Sequence, residues 1–470
     1  MNLQKHINIL SLLLFALLIS SCANQQPPPG GPEDKTPPVI IKLTPRDSTT
    51  NYTGNKISFE FDEYVNRRSF EESFFISPKP SSNQKFDWSG RSVDVIFENG
   101  FDINKTYSIT INRDLKDLNG GNALTAPFNF AFTTGNKIEN GNISGTLFGD
   151  NFDRIIVSCY QLPDANPTVK KGDYITQPDI TGNYTFRNLA PGNYRIFVIR
   201  DESRDQLFSK EIDKIAIPFQ DVSLQRDSAV SGLNFLLSSP SIDTRTVPFF
   251  SALARDTTGT IYSSMRNGDQ TPEALNAYFY LKNKKVTKSE FAEKLVLKEK
   301  VTGKNVKIAF NWLNDSLVNI FNSEKLDLKK DYEFSAPLNS IDGKINYLLS
   351  FRTSSEKEVS NVIIDLKGNY LSSSKIKFLL INTANIFIRY AGEITTPGIS
   401  DSANAKSSVQ IKNVPAGDYK LFAYDDANDN DKYDYGVLDP FEFAEKFSYS
   451  KAPLKIQRGE SDIVIELEVK

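Results

Sequence analysis

The densest run of oxygen-bearing side chains is Asp425-Asp426-Ala427-Asn428-Asp429-Asn430-Asp431-Lys432-Tyr433-Asp434. Asp426, Asn428, Asn430 and Asp434 take the first, third, fifth and ninth positions of a loop. Alternate residues of a tight loop can turn their oxygens inward, and a hard divalent cation takes about six to eight of them, so the spacing suits Ca²⁺. Two positions depart from a high-affinity loop. Asp431 is sixth, where Gly makes the sharp turn, and Val437 is twelfth, where a bidentate Glu completes the shell. Asp439 and Glu442 are the nearest sources of a further oxygen. The same run also suits a plain solvated acidic loop. An earlier stretch, Asp201-Glu202-Ser203-Arg204-Asp205, has Arg204 inside it and no equivalent of Asp434, so ion binding is expected only in the later loop. No cofactor other than this Ca²⁺ is expected.

Cys22 is the second reactive position. Lys5 and His6 precede the apolar run Ile9-Leu10-Ser11-Leu12-Leu13-Leu14-Phe15-Ala16-Leu17-Leu18-Ile19, which is short for a membrane span of about 20 residues. Small residues then lead to Cys22, as at the end of an export signal. The ending Ile19-Ser20-Ser21-Cys22 resembles a bacterial lipobox. That resemblance implies cleavage after residue 21, lipidation of Cys22, and a membrane attachment through acyl chains. Ala23 rather than Asp follows, which in such lipoproteins favours the outer membrane. Residues 22–37 are rich in proline and read as an extended tether, at about 3.1 Å per residue.

These two features stand in a chain with little other chemistry. Its single His is His6, so cleavage leaves no histidine for a nucleophile system or a zinc site. Two Cys in 470 residues make neither a disulfide framework nor a Cys-rich metal site. A net charge of −3 argues against nucleic acid as a partner. Cys159, within Ile-Val-Ser-Cys-Tyr, reads as a small buried hydrophobe. Trp88 and Trp312 suit a core or hairpin role better than sugar stacking. Glu71-Glu72 beside Arg67-Arg68 reads as a salt-laced surface.

The elements that must carry these residues repeat at a spacing near 225. Trp88-Ser89-Gly90-Arg91-Ser92-Val93 aligns with Trp312-Leu313-Asn314-Asp315-Ser316-Leu317. Asn188-Leu189-Ala190-Pro191-Gly192-Asn193-Tyr194 aligns with Asn413-Val414-Pro415-Ala416-Gly417-Asp418-Tyr419. The openings pair Pro38-Val39-Ile40 and Arg46-Asp47-Ser48-Thr49 with Pro248-Phe249-Phe250 and Arg255-Asp256-Thr257-Thr258. Collinear matches of this kind predict two modules in the order A-B-A′-B′. Ile57-Ser58-Phe59-Glu60-Phe61 and Val93-Asp94-Val95 alternate as half-buried strands. Turn signals such as Asn119-Gly120-Gly121-Asn122 separate short strands, as in a sandwich.

Phe59-Glu60-Phe61-Asp62-Glu63, Tyr107-Ser108-Ile109-Thr110-Ile111, Asp117-Leu118-Asn119-Gly120-Gly121-Asn122 and Phe130-Ala131-Phe132-Thr133-Thr134-Gly135 resemble the SbsA-type bacterial Ig-like domain. Residues 248–354 resemble a divergent copy. Gly182-Asn183-Tyr184-Thr185-Phe186 with Leu189, Gly192 and Tyr194 resembles the hairpin of transthyretin-like or carboxypeptidase regulatory-like sandwiches. The fold class is therefore expected to be all-β: tandem Ig-like and transthyretin-like β-sandwiches. The expected divisions are a signal at 1–21, a tether at 22–37, Ig-like at 38–135, transthyretin-like at 136–238, divergent Ig-like at 239–355, and transthyretin-like with the acidic loop at 356–470. Neither resemblance implies catalysis.

The functional expectation is a non-enzymatic, lipid-anchored scaffold or protein-binding subunit of the bacterial outer membrane, with a protein partner there such as a β-barrel complex. The alternative is a surface adhesin or glycan-binding lipoprotein. Periplasmic and surface-facing orientations both stay open. Cys22→Ala is expected to abolish lipidation and membrane retention, and palmitate label still entering this variant would refute the lipid site.

Overall fold

In the computed structural model the described residues are 33–149, 151–237, 254–255, 260–282, 285–340, 343–367, 375–384, 386, 388–395, 407–459 and 462–468. Cys22 lies outside them, as do 248–250 of the repeat alignment. The chain is nearly all β, 49% strand against 5% helix. Among the described residues no helix is long and apolar enough to cross a membrane. The buried apolar side chains form four main clusters, each drawn from one stretch of sequence.

The first sandwich pairs two antiparallel sheets. One has the order Ile40–Thr44, Lys56–Phe61, Ser92–Phe97, Gln84–Ser89, and the other Phe74–Ser77, Thr106–Ile111, Phe128–Thr133. Period-two alternation puts Ile57, Phe59 and Phe61 on one inner face, against Tyr107, Ile109 and Phe132 from the other. The third sandwich repeats this plan. Ile261–Ser263, Asn276–Leu281, Leu317–Asn322 and Ile308–Trp312 form the matching sheet, with Ala254–Arg255 added at its edge.

Strand pairing corrects the proposed alignment of the openings. Ser48 N donates to Ala131 O at 2.7 Å, and Ala131 N donates to Asp47 Oδ1 at 2.9 Å. In the third sandwich Gly268 N donates to Ser350 O at 2.8 Å, and Ser350 N donates to Asn267 Oδ1 at 2.8 Å. The counterpart of Arg46-Asp47-Ser48 is thus Arg266-Asn267-Gly268, and the Arg255-Asp256 match was local resemblance. An Asp or an Asn can accept this N–H equally well, so the contact is kept while the letters change.

The first and third sandwiches each also hold a two-turn helix, too short to show a helical period in sequence. Asn66 caps Arg67–Ser73 and Thr287 caps Lys288–Lys294, each accepting a backbone N–H three residues on. Phe70 and Phe291 are the fully buried aromatic residues of these helices. Phe70 meets Trp88 edge-on with centroids 5.4 Å apart, and Phe291 meets Trp312 at 6.4 Å. The two tryptophans are therefore hairpin residues packed on the cores.

In the second sandwich Tyr174–Thr176, Ile155–Gln161, Gly192–Arg200 and Lys214–Ala216 form one sheet, with Val222–Leu224 also paired to Gly192–Arg200. Asn183–Leu189 and Gly141–Phe148 form the other, flanked in parallel by Ala229–Val230 and Phe235–Leu236. The fourth repeats it with Arg389–Thr395, Lys375–Asn382, Gly417–Asp425 and Phe447–Tyr449, over Ser408–Pro415, Val359–Lys367 and Ile463–Glu468. The repeated Asn-x-x-x-Gly-x-Tyr pattern has a physical cause. Asn188 and Asn413 take φ of 58° at register shifts, where Asn tolerates the left-handed region. Tyr194 and Tyr419 donate their hydroxyls to Ala190 O and Pro415 O, both at 2.8 Å, tying the turn to the strand.

The second and fourth sandwiches are in contact. Ile155, Val157 and Cys159 face their own core, while Ile156 and Tyr160 face outward with Phe197 and Ile199. That outward face is covered by Leu438 and Phe441 from the fourth sandwich, with Phe75 from the first and Phe208 from the second. In return, the outward Phe422 and Phe447 gather with Phe148 and Leu236 of the second sandwich.

Phe70→Ala is expected to destabilise the first sandwich by about 3–5 kcal/mol. With Trp312→Phe as background, the fluorescence of Trp88 reports that unit alone, and an unchanged urea midpoint would contradict the packing described.

Candidate functional site

The acidic loop follows strand Gly417–Asp425 and is shaped by Asp426, a residue only 4% exposed. Its Oδ1 accepts Asn430 N at 3.0 Å and its Oδ2 accepts Asp431 N at 3.1 Å. Asp429 and Asp431 take φ of 58° and 59°. The earlier loop is the same device 225 residues before. Asp201 Oδ1 accepts Asp205 N at 3.2 Å, Asp201 Oδ2 accepts Gln206 N at 2.9 Å, and Arg204 and Gln206 have positive φ. Asp426 is therefore first a scaffold residue, whose carboxylate closes the loop on backbone donors in both copies.

The other three residues singled out in sequence are brought together. Asp434 Oδ2 accepts Asn428 Nδ2 at 2.7 Å and Asn430 Nδ2 at 2.8 Å. Amide oxygen and nitrogen are interchangeable by a flip, so Asn428 can present its oxygen beside Asp434 instead, whereas the Asn430 oxygen accepts Lys432 N at 2.8 Å. The donor set of amide and carboxylate oxygens is that of a hard cation. Asp429 and Asp431, the intervening carboxylates, point elsewhere and pair with Lys375 and Lys377 at 2.6 Å each.

Glu445 is the site residue that spacing did not reveal, because it arrives from beyond the loop. It is 8% exposed, and its carboxylate accepts Ala427 N at 3.0 Å and Asp434 N at 3.1 Å. Burial, helped by the charges of Asp434 and Asp426, pushes its pKa up to about 7 despite those two hydrogen bonds. Asp213 braces the earlier loop by matching hydrogen bonds, accepting Glu202 N at 2.8 Å and Ser209 N at 2.8 Å. Glu442 lines the groove beside the loop, whereas Asp439 does not.

A second carboxylate group was not legible as a motif, because it joins residues far apart in sequence. Oxygens of Asp34, Glu63 and Asp117 lie within 4.8 Å of one another. Asp117 is buried and accepts backbone N–H groups of Gly120, Gly121 and Asn122 and the Asn122 amide. Burial raises its pKa, but these hydrogen bonds outweigh that and hold it below the usual value. This explains the Asp-Leu-Asn-Gly-Gly-Asn run as a carboxylate-organised turn. Burial, with Asp117, Asp34 and Asp62 nearby, pushes Glu63 up.

Other residues raised by the sequence are placed plainly. Cys159 is buried and free, and burial pushes its thiol well up, away from nucleophilic use. Glu71 accepts the Trp88 indole N–H at 3.0 Å, and Glu72 pairs with Arg68 at 2.7 Å on the surface.

Residues 34–134 match the bacterial Ig-like domain family. The first sandwich is thus similar to bacterial Ig-like domains. Residues 364–462, which include the acidic loop, match a family described as an uncharacterized protein conserved in bacteria (DUF2141). No curated protein matches the chain. Among solved structures, BcpA, the major pilin subunit of Bacillus cereus, is 9% identical over 70% of this chain and 99% of its own, with a TM-score of 0.17. Domains 1–6 of the surface layer protein SbsC are 10% identical over 83% of this chain and 66% of that chain, at 0.17. Dimeric latent PorU from Porphyromonas gingivalis is 9% identical over 84% of this chain and 34% of that chain, at 0.18. At such scores the likeness says nothing about function.

Calorimetric titration of the full chain is expected to show one Ca²⁺ bound at about 10⁻⁴–10⁻³ M, since the sixth-position Gly and twelfth-position Glu are missing. Asp434→Ala should remove the heat while keeping the loop, because Asp426 rather than Asp434 closes it. At calcium tenfold above its dissociation constant, the domain gains about 1.4 kcal/mol. No heat, with equal melting in calcium and chelator, would leave a solvated loop.

Proposed function

We propose that this chain is a non-enzymatic, lipid-anchored scaffold or protein-binding subunit of the bacterial outer membrane, acting beside an outer-membrane β-barrel complex. The observation that carries this reading is the likeness to bacterial Ig-like domains at residues 34–134, next to a proline-rich stretch that leads back to the lipobox-like Ile19-Ser20-Ser21-Cys22. Such an arrangement holds a rigid β-sandwich a short, stiff distance from the acylated residue.

The side-chain chemistry supports a binding role over catalysis. The buried carboxylates of Asp117, Asp201 and Asp426 are committed to backbone N–H groups, closing turns. The free thiol is buried. Sandwiches with loops and sheet edges recognise proteins by loop contact or strand addition. The contact between the second and fourth sandwiches gives such a surface a fixed shape.

Mild crosslinking in intact cells followed by co-purification tests the proposal. Recovery of a β-barrel protein in fixed stoichiometry is expected. Recovery of glycan or of a foreign cell's protein instead would favour the adhesin reading.

A further inference from the structure

We propose that the groove beside the acidic loop seats an arginine side chain of a protein partner. This deepens the binding-subunit reading and rests on it only for the partner being a protein.

The groove has a volume of about 560 Å³, within the range of sites that hold a side chain or small ligand. Asp434 and Glu442 give it a carboxylate wall, and Phe443 and Tyr435 line it with aromatic rings. Phe443 is 42% exposed and Tyr435 38% exposed, so both rings stand partly in solvent. A carboxylate next to an open aromatic face is the environment a guanidinium prefers, because it can fork to the first and stack on the second.

Two further observations favour a cation over a neutral sugar. The loop carboxylates that point away from the groove, Asp429 and Asp431, already have lysines at 2.6 Å. Among the described residues neither Asp434 nor Glu442 has an ion-pair partner, and although Lys446 also lines the groove, Asp425, Asp434 and Glu442 outnumber it and leave the lining net negative. The chain also contains its own example next door. Arg195 forks to both oxygens of Asp221 at 2.7 Å each, and its guanidinium carbon lies 3.8 Å from the Phe441 ring centre and 5.4 Å from that of Phe443. Phe443 therefore already takes part in guanidinium recognition, and Glu442 beside it places a second carboxylate at the groove. Lysine is the weaker fit, since a compact ammonium cannot fork and stack at once.

Saturation-transfer NMR on the full chain in chelator tests this with N-acetyl-arginine methylamide as probe, and the isosteric but neutral citrulline compound as control. Saturation of the arginine probe and not of the citrulline one is expected. Glu442→Gln should weaken the arginine probe by about fivefold, the size of one exposed ion pair. Glu442 is exposed, so this variant keeps the fold, and Glu63→Gln in the distant carboxylate group should change nothing. Equal saturation by both probes, or an arginine signal unmoved by Glu442→Gln, overturns the proposal. So does methyl glucoside giving the signal that Glu442→Gln abolishes, which would assign the groove to glycan. The probe reads the groove alone, so its failure leaves the crosslinking result standing, and a failed crosslink leaves the groove result standing.

Discussion

The contact between the second and fourth sandwiches is the constraint on which the rest depends. A strand in a two-sheet sandwich normally buries one face and wets the other. Ile155–Gln161 and Gly192–Arg200 bury both, because Leu438 and Phe441, together with Phe75 of the first sandwich and Phe208 of the second, cover the outward residues Ile156, Tyr160, Phe197 and Ile199. Leu438 and Phe441 come from the long connection after the acidic loop. On the other side Phe148 meets Phe447 edge-on at 5.6 Å and Tyr449 at 5.5 Å. Hydrophobic burial at this seam therefore fixes the segment that forms one wall of the groove, so loop, groove and seam are parts of one structure.

Neighbouring units are also tied by directed contacts. Gln177 of the second sandwich accepts Arg113 N at 2.9 Å and donates to Asp114 Oδ2 at 2.8 Å in the first. Asn413 of the fourth donates to Glu273 Oε2 at 2.9 Å in the third. Asn413 is the left-handed bulge residue of its hairpin, and its counterpart Asn188 donates to Glu139 O at 3.0 Å. In the fourth unit the kink thus serves twice, shaping the hairpin and reaching the preceding unit, whereas Asn188 reaches only the start of its own unit at Glu139. Hydrogen bonds of this sort add direction to a contact whose free energy comes mainly from buried apolar area.

Duplication separates scaffold from specialisation within the loop. Asp201 and Asp426 close their loops by the same two backbone hydrogen bonds, and Asp213 and Glu445 brace them from the same side. What differs is the outward chemistry. Ser203 and Arg204 occupy the earlier loop where Asn428 and Asp429 stand in the later one, and only the later loop runs on to Asp434. The repeated carboxylate is thus the fold's requirement, and the amides around Asp434 are the part free to take on a function.

The sequence by itself determined the all-β class, the strand positions and the gathering of Asn428, Asn430 and Asp434. Those follow from local rules: period-two alternation shows a half-buried strand wherever it occurs, and a short loop brings together residues within one turn. The tertiary structure alone decided the rest. The helices around Phe70 and Phe291 are too short for a period to show. The Asp47 and Asn267 contacts, the Asp34, Glu63 and Asp117 group, and Glu445 at the loop join residues separated by many positions, which no spacing encodes. Sequence marked Cys159 only as a small buried hydrophobe, and the double burial of its strand Ile155–Gln161 did not show. Which of its faces met a second sandwich depended on the path of a chain more than 200 residues further on, and that path is set by packing rather than by any local preference.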